Sequence, residues 1–121
     1  MPLETTLVAF PRSHRLTRAS EFDAMRRDGV RVAGRLPDLD VRAAPSGRTH
    51  PRVGLIVPKY KHTSVDRNRL KRRLRELVRT RLLPTLPPID LVVRAFPSAY
   101  SADLAGLADQ IGRVRRAIDT P

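Results

Sequence analysis

A long amphipathic helical pattern, flanked by two short apolar runs, is the feature that most constrains how this chain can fold. The pattern covers residues 64–83 and ends at Pro84. Its apolar residues recur at steps of three and four, the period of one buried helix face; they are Leu70, Leu74, Leu77, Val78 and Leu82. Residues 52–57 and 89–96 are short, nearly continuous apolar runs, typical of buried strands. The sequence therefore predicts two strands that are neighbours in one sheet and are joined by the helix.

Weaker patterns before and after this unit predict further helices and strands. Residues 17–28 lack proline and glycine, begin near a capping hydroxyl side chain and end at Gly29, which predicts a first helix. Apolar and polar residues alternate roughly over residues 30–44, which favours one bent strand or two short ones. Ser101 is the expected cap of a last helix. The apolar stripe of that helix is predicted to contain Leu104, Leu107, Ala108, Ile111, Val114 and Ile118.

The resulting order is helix, two or three strands, helix, strand, helix, so the predicted fold class is α+β, with helices packed on a sheet. At 121 residues the chain is long enough for one core and too short for separate catalytic and binding domains. Residues 1–15 carry two prolines and no sustained periodicity, and are predicted to form an N-terminal arm. Residues 16–119 are predicted to form the single domain.

The charge balance of the chain indicates a polyanionic partner. Lys and Arg total 24 against 12 Asp and Glu, a formal net charge of +12 at pH 7, and such a chain repels itself unless a polyanion neutralises it. Nucleic acid is the first expectation; an anionic membrane is an alternative, although no apolar run approaches the roughly 20 residues of a membrane span. The sequence has no cysteine, which excludes disulfides, thiolate metal sites and cysteine nucleophiles. The first ten residues do not resemble a secretory signal, so a cytoplasmic location is expected.

The positive charge is concentrated on the long helix and on the loop before it. The cations of this block are Lys59, Lys61, Arg67, Arg69, Lys71, Arg72, Arg73, Arg75, Arg79 and Arg81, with Asp66 and Glu76 as the acids. At 100° per residue, one polar stripe of the helix lies apart from the leucines. It contains Asn68, Arg72, Arg75 and Arg79.

A stripe of like charges makes physical sense mainly when a polyanion covers it. Like charges four residues apart destabilise a helix by a few tenths of a kcal/mol per pair, whereas phosphates lying across the stripe turn that repulsion into attraction. Arginine predominates over lysine here, and its planar guanidinium can hold a phosphate bidentately or stack on a base, which favours structured RNA. The alternative interpretation, a solvated helix face without a ligand, is weakened because few acids are interleaved with the cations.

Residues suited to catalysis by the protein itself are few and scattered. His14, His50 and His62 are far apart in the sequence. Asp38 and Asp40, two residues apart on a predicted strand, would share a face and could bind a divalent metal. Acidic residues beside a proline turn are more often plain surface residues. A metal-dependent nuclease that acts alone stays an alternative, as does a non-enzymatic RNA-binding protein such as a ribosome-associated one.

Several segments of the sequence resemble one known family. Residues 67–76 read RNRLKRRLRE, and residues 52–59, shortly before them, read RVGLIVPK. Leu16, the adjacent Glu21 and Phe22, and Gly29 are similar to the family's first helix, and residues 90–95 are similar to its last strand. Together these segments resemble the signature of the bacterial ribonuclease P protein component over most of the chain.

The resemblance implies an α-β-β-β-α-β-α sandwich with a left-handed βαβ crossover, a hand that sequence patterns alone would not predict. It implies a protein subunit of ribonuclease P, the endoribonuclease that removes the 5′ leader of precursor tRNA and leaves the mature 5′ end. Its partners would be ribonuclease P RNA and precursor tRNA, with no further protein required. The resemblance assigns the hydrolysis to the RNA subunit and its Mg²⁺ ions, so this RNA-binding chain is expected to supply neither catalytic residues nor a metal site.

The resemblance and the cationic block together predict two groups of binding residues. Those expected to bind the RNA subunit are Lys59, Lys61, Arg67, Asn68, Arg69, Lys71, Arg72, Arg75 and Arg79. Those expected to bind the leader in a central cleft are Phe22, Arg26, Tyr60 and Arg94. Phe22 can be interpreted as a platform for a leader base or as an ordinary core aromatic, and the sequence leaves both open.

Three positions depart from the family pattern. Arg26 stands where the family often has a second aromatic residue, and Asp40 where a strand aromatic is frequent. Tyr60 replaces the second of two adjacent lysines. The leader cleft of this chain is therefore expected to stack bases more weakly and to depend more strongly on salt.

Overall fold

The computed structural model describes residues 15–16, 19–45 and 47–119. Within these residues the helices are α1 (Ala19–Asp28), α2 (Ser64–Arg81) and α3 (Leu104–Asp119), and the strands are β1 (Val30–Arg31), β2 (Leu39–Pro45), β3 (Arg52–Ile56) and β4 (Ile89–Ala95). Short 3₁₀ turns, Leu83–Thr85 and Pro97–Tyr100, follow α2 and β4. The order α-β-β-β-α-β-α confirms the predicted α+β fold. The predicted arm, residues 1–15, lies outside the described residues except for Arg15.

The four strands form one sheet in the order β1-β2-β4-β3. β2 pairs antiparallel with β4, and β3 pairs parallel with β4. Two parallel neighbours joined by the long helix confirm the predicted crossover, and its left hand stays a prediction. β4 lies inside the sheet, as expected. β3 is an outer strand of the four, so the prediction of a buried strand is only partly right: Val53 and Gly54 are buried, and the other residues of the strand are half-buried.

The alternating segment over residues 30–44 forms two strands rather than one bent strand. β1 and β2 pair antiparallel, and the chain between them turns at Ala33 and Gly34, whose φ angles are 64° and 62°. This left-handed conformation is open to glycine but costs alanine about 1 kcal/mol. Leu36, which is 5% exposed, anchors the connection in the core.

The main core lies between one sheet face and the helices α2 and α3. Its fully buried residues include Leu39, Val41, Leu91 and Val93 from the sheet and Leu74, Val78, Leu107, Ile111 and Val114 from the helices. These positions are spaced two apart on the strands and three or four apart on the helices, as expected for one buried face of each. The core therefore fixes α2 with its leucines inward and its cations outward.

The start of α3 differs from the prediction. Asp103, not Ser101, caps the helix, because its Oδ1 accepts a hydrogen bond from the Gly106 N–H at 2.7 Å. Ser101 instead ends the preceding 3₁₀ turn. Leu104 is 54% exposed, so its predicted place in the buried stripe is also wrong: the stripe begins one turn later, at Leu107.

Helix α1 covers part of the opposite sheet face. Leu16 and Met25 are buried there with Val92, and Phe22 packs against them. Gly54 allows this close approach, since a Cβ at that position would lie only 2.5 Å from Cε1 of Phe22. The part of this face that α1 leaves uncovered is called the open face below. By strand alternation it carries Arg31, Asp40, Arg42 and Arg94.

An ion-pair cluster ties α1 to the sheet. Arg52 on β3 donates to Asp90 on β4, with Nη2 to Oδ2 at 2.8 Å and Nε to Oδ1 at 3.0 Å. Its Nη1 lies 2.6 Å from Oε2 of Glu21 on α1. The hydrogen bond to Asp90, reinforced by Glu21, raises the pKa of Arg52 above its ordinary value, so this guanidinium stays charged. Arg52 therefore adds an ion-pair contact to the apolar packing that holds α1 over the sheet.

Candidate nucleic-acid interface

The outward side of α2 forms a compact cationic surface. Thr63 caps the helix, its side chain accepting from the Asp66 N–H at 3.1 Å. The buried leucines then fix the rotation of the helix, and four polar side chains border a shallow cleft of about 230 Å³. These residues, called the basic face below, are Asn68, Lys71, Arg72 and Arg75. Three cations and an amide around one cleft form a surface that phosphate groups can occupy.

The basic face differs at one position from the predicted stripe. Arg79 was expected to continue it, but its guanidinium forms an ion pair with Glu76, one helical turn earlier. The hydrogen bond to Arg79 lowers the pKa of Glu76 below its ordinary value, so the pair stays ionised and the charge of Arg79 is partly balanced. Lys71 lines the cleft in its place. The cations that border the cleft are therefore Lys71, Arg72 and Arg75.

The cations of the basic face repel one another and their neighbours. The pKa of Lys71 is lowered from its ordinary value, first because the side chain is partly buried and then because Arg67, Arg75 and Arg15 repel its charge. Arg15 reaches this neighbourhood because it forms a parallel bridge with Val53 at the edge of β3. Positive charges are therefore held close together here by the fold itself.

The remaining residues predicted to bind the RNA subunit lie around this surface. Arg67 faces inward, where its Nε donates to the carbonyl of Val57 at 2.7 Å and joins α2 to the end of β3. Arg69 lines a separate depression on the other side of the helix. Lys59 and Lys61 are exposed in the loop before α2. Of the nine predicted residues, four therefore border one cleft, and the other five lie elsewhere on α2 or in the loop before it.

Three of the four residues that are predicted to bind the leader lie on the open face or on α1 beside it. Phe22 is half-buried over Gly54, which agrees with a core role and leaves part of the ring accessible. Arg26, one turn further along α1, is exposed. Arg94 is exposed on the central strand, opposite Asp40 in the register of β2. An aromatic ring and two guanidinium groups therefore lie along one side of the sheet.

Tyr60 lies in a different environment from the other three. Its hydroxyl donates to the carbonyl of Ala95 at 2.8 Å, and its ring meets that of Tyr100 edge to face, with centroids 6.4 Å apart. Tyr100 also stacks on His62, with ring centroids 3.9 Å apart and planes nearly parallel. Sequence patterns do not predict this aromatic cluster, because the two tyrosines and His62 come together only through the folded chain. A leader contact by Tyr60 stays a prediction.

The two carboxylates considered as a metal pair are separated by the fold. The Asp38 carboxylate accepts from Nε2 of Gln110 on α3 at 2.7 Å. Asp40 accepts from Nε of Arg31 and of Arg42, at 3.2 and 3.1 Å. The prediction that they share a strand face is wrong, because Asp38 precedes β2 and turns towards the helices. Among the described residues, no group of three or more His, Asp or Glu side chains is placed to hold a metal ion.

The open face carries charged residues that the sequence analysis did not single out. Arg31 and Arg42 flank Asp40. Strand alternation would have placed Arg42, Asp40 and Arg94 on one face if the register of β2 and β4 had been known.

In the part of the chain that the structure describes, no helix combines the length and apolar character needed to cross a membrane.

Comparisons with known proteins agree with this architecture. A family model described as Ribonuclease P matches residues 10–119. The ribonuclease P protein component of Mycobacterium avium is 42% identical over 112 residues, which cover 88% of this chain and 92% of that protein. The ribonuclease P protein component of Acidothermus cellulolyticus is 38% identical over 104 residues, which cover 86% and 87%.

Solved structures show the same fold at lower sequence identity. The Staphylococcus aureus RNase P protein superposes with a TM-score of 0.74 at 22% identity, covering 88% of this chain and 98% of that one. The RNase P protein of Thermotoga maritima gives a TM-score of 0.72 at 20% identity, covering 84% and 96%. With the family model spanning nearly the whole chain and relatives at about 40% identity, this chain belongs to the ribonuclease P protein component family.

Proposed function

We propose that this chain is the RNA-binding subunit of a ribonuclease P holoenzyme, in which it binds both the catalytic RNA and the 5′ leader of precursor tRNA. It assists the endonucleolytic step that removes the leader and leaves the mature 5′ end, and it acts in the cytoplasm. The observation that carries this proposal is the basic face on α2, where Lys71, Arg72 and Arg75 surround one cleft in a chain of this family.

The basic face is suited to the backbone of a folded RNA. Arginine guanidinium groups bind phosphate oxygens in pairs, and each phosphate neutralised by a cation releases counterions, which favours association at low salt. Burial lowers the pKa of Lys71 first, and repulsion by neighbouring arginines lowers it further; phosphates lying over the surface would relieve that repulsion. The basic face is therefore the proposed site of the ribonuclease P RNA.

The open face is suited to a single strand. RNA-binding sheets commonly stack unpaired bases on aromatic rings while cations hold the backbone. Phe22 offers the ring, and Arg26 and Arg94 offer the cations. Phe22 packs against the cluster of Leu16, Met25 and Val92 but is only half-buried, so stacking and core packing are compatible in this residue. The open face with α1 is therefore the proposed leader site.

The hydrolysis itself is assigned in this proposal to Mg²⁺ ions held by the RNA subunit, which activate water and leave a 5′-phosphate on the tRNA. The chain's own candidate metal ligands support this division, because Asp38 binds Gln110 and Asp40 binds two arginines. The chain contributes binding energy. Its cations also screen repulsion between RNA phosphates, which should lower the Mg²⁺ concentration that the holoenzyme requires.

Replacing Lys71 with methionine is expected to change stability and RNA binding in opposite directions. The free protein should gain about 0.5 kcal/mol in its free energy of unfolding, because two like-charge pairs four residues apart are removed. Binding of ribonuclease P RNA should weaken. Urea unfolding and a binding titration measure the two quantities on the same preparation. A variant that loses both stability and binding would give Lys71 a structural role instead.

The leader contact is tested by comparing two substrates of the reconstituted holoenzyme, precursor tRNA and leaderless tRNA. We expect the precursor to bind about tenfold more tightly, since one base stacked on an aromatic ring contributes about 1–3 kcal/mol. Phe22→Leu, which keeps an apolar side chain over Gly54, should reduce this preference. Equal affinity for both substrates with the unaltered protein would refute leader recognition by this chain.

A further inference from the structure

A pocket outside both predicted groups lies where the open face ends. It encloses about 330 Å³ between the β1–β2 connection and the residue that follows β4. The residues that line it are Arg31, Arg35, Leu36, Leu39, Asp40 and Phe96. Two of them, Arg31 and Asp40, also belong to the open face, so the pocket continues that surface rather than forming a separate cavity.

Hydrogen bonds to backbone carbonyls hold the walls of this pocket. The Phe96 N–H donates to the carbonyl of Asp38 at 2.9 Å, and the Ser98 hydroxyl donates to the carbonyl of Pro37 at 3.1 Å. On the other side Leu36 is anchored in the core, 5% exposed. The pocket is therefore formed before any ligand arrives, which reduces the entropy that a ligand loses on binding.

The chemistry of the pocket combines one aromatic ring with unbalanced positive charge. Phe96 is 36% exposed, so part of its ring is accessible to a ligand. Leu36 and Leu39, which are 5% and 0% exposed, lie beneath the pocket as part of the core. Arg35 is exposed and forms no ion pair with an acid in the described part of the chain. An apolar ligand would leave the guanidinium unused, and a free phosphate would leave the ring unused.

A nucleotide satisfies both requirements at once. Its base presents a flat apolar surface that stacks on an aromatic ring, and its phosphate is held by arginine. A volume of about 330 Å³ lies at the small end of the range for small-ligand sites, which suits one base rather than a longer segment. Asp40, which lines the pocket, lies opposite Arg94 in the sheet. A single-stranded RNA that crosses Arg94 therefore reaches the pocket without turning away from the protein.

We propose that this pocket binds one unpaired nucleotide of the leader, with its base against the ring of Phe96 and its phosphate at Arg35. The inference rests on the proposed function, because it places one further leader nucleotide beyond the residues already expected to bind it. It also compensates for Arg26 and Asp40, which occupy positions where the family often has aromatic residues. The ring for a second stacked base lies instead at the end of β4.

The test is an abasic scan of the leader, read as affinity for the reconstituted holoenzyme. Precursor tRNAs that each lack one leader base are titrated against holoenzymes carrying unaltered protein, Phe96→Leu or Phe96→Tyr. With unaltered protein, loss of the base that stacks on Phe96 should weaken binding about tenfold. In Phe96→Leu the intact leader should bind about tenfold more weakly, and the penalty at that one position should disappear. Phe96→Tyr, which keeps the ring, should behave like the unaltered protein.

A matched control is Leu104→Ala, which also removes an exposed apolar side chain, 54% exposed on α3, and should leave every penalty unchanged. If the unaltered protein gains no affinity from a leader, the proposed leader site fails and the pocket proposal fails with it. If the leader does strengthen binding but Phe96→Leu shows the same abasic penalties as the unaltered protein at every position, only the pocket proposal is overturned.

Discussion

Replacing Arg72 and Arg75 together with alanine is expected to weaken binding of ribonuclease P RNA by about a hundredfold, and to reduce the slope of log affinity against log salt by about two. Both side chains line the cleft of the basic face, and within the described residues neither is balanced by an acid. Each phosphate contact that is lost leaves its counterions condensed on the RNA. Dissociation constants measured over a series of potassium chloride concentrations give both quantities.

A matched control removes the same charge from α3. Arg113 and Arg115 form exposed ion pairs with Asp109 and Asp119, so their replacement by alanine lowers the net charge equally but leaves the basic face intact. This control should bind RNA nearly as the unaltered protein does. If both double variants lose the same affinity and slope, RNA binding reflects net charge alone, and the basic face has no special role.

Replacing Arg52 with methionine is expected to destabilise the protein by about 3 kcal/mol. The substitution leaves Glu21 and Asp90 as neighbouring carboxylates, 22% and 14% exposed, without their shared cation. Methionine is flexible enough to fill the space, so the loss reflects charge rather than a cavity. Urea unfolding followed by circular dichroism measures it, since the chain has no tryptophan to report by fluorescence.

The control for Arg52 is Arg113→Met, which breaks an ion pair whose partners are 53% and 58% exposed. Exposed pairs contribute little, so this variant should stay within about 0.5 kcal/mol of the unaltered protein. Because Arg52 holds α1 over the sheet, Arg52→Met should also reduce the preference for leader-bearing tRNA. Equal, small losses of stability in both variants would show that the Arg52 cluster does not hold α1 in place.

The sequence predicted the elements whose signal is local and strong. The pattern that predicts α2 has five apolar residues at helical spacing and three prolines soon after them, so the extent of the helix was predicted to within two residues. The neighbouring positions of β3 and β4 followed from the helix between them. The start of α3 was predicted wrongly because Ser101 and Asp103 can both cap a helix, and only the folded backbone decides between them.

The candidate site was predictable to the same degree. The rotation of α2 follows from its leucines, so the outward position of Arg72 and Arg75 could be derived from 100° per residue alone. Lys71 lines the cleft, whereas Arg79 forms an ion pair with Glu76. The spacing of three residues in the sequence allows that ion pair but does not require it. The Phe96 pocket could not be predicted, because it joins residues about sixty positions apart.

The proposed function depends most on contact between the basic face and folded RNA, and a probe attached to that face tests this contact directly. The chain has no cysteine, so Asn68→Cys and, as control, Ala117→Cys on the exposed side of α3 can each carry one iron chelate that generates hydroxyl radicals. We expect the probe at position 68 to cleave ribonuclease P RNA at a few discrete nucleotides in holoenzyme that still processes precursor tRNA, and the probe at position 117 to leave those nucleotides intact. Active holoenzyme in which the probe at position 68 cleaves no nucleotide of the RNA would show that the basic face does not lie against it.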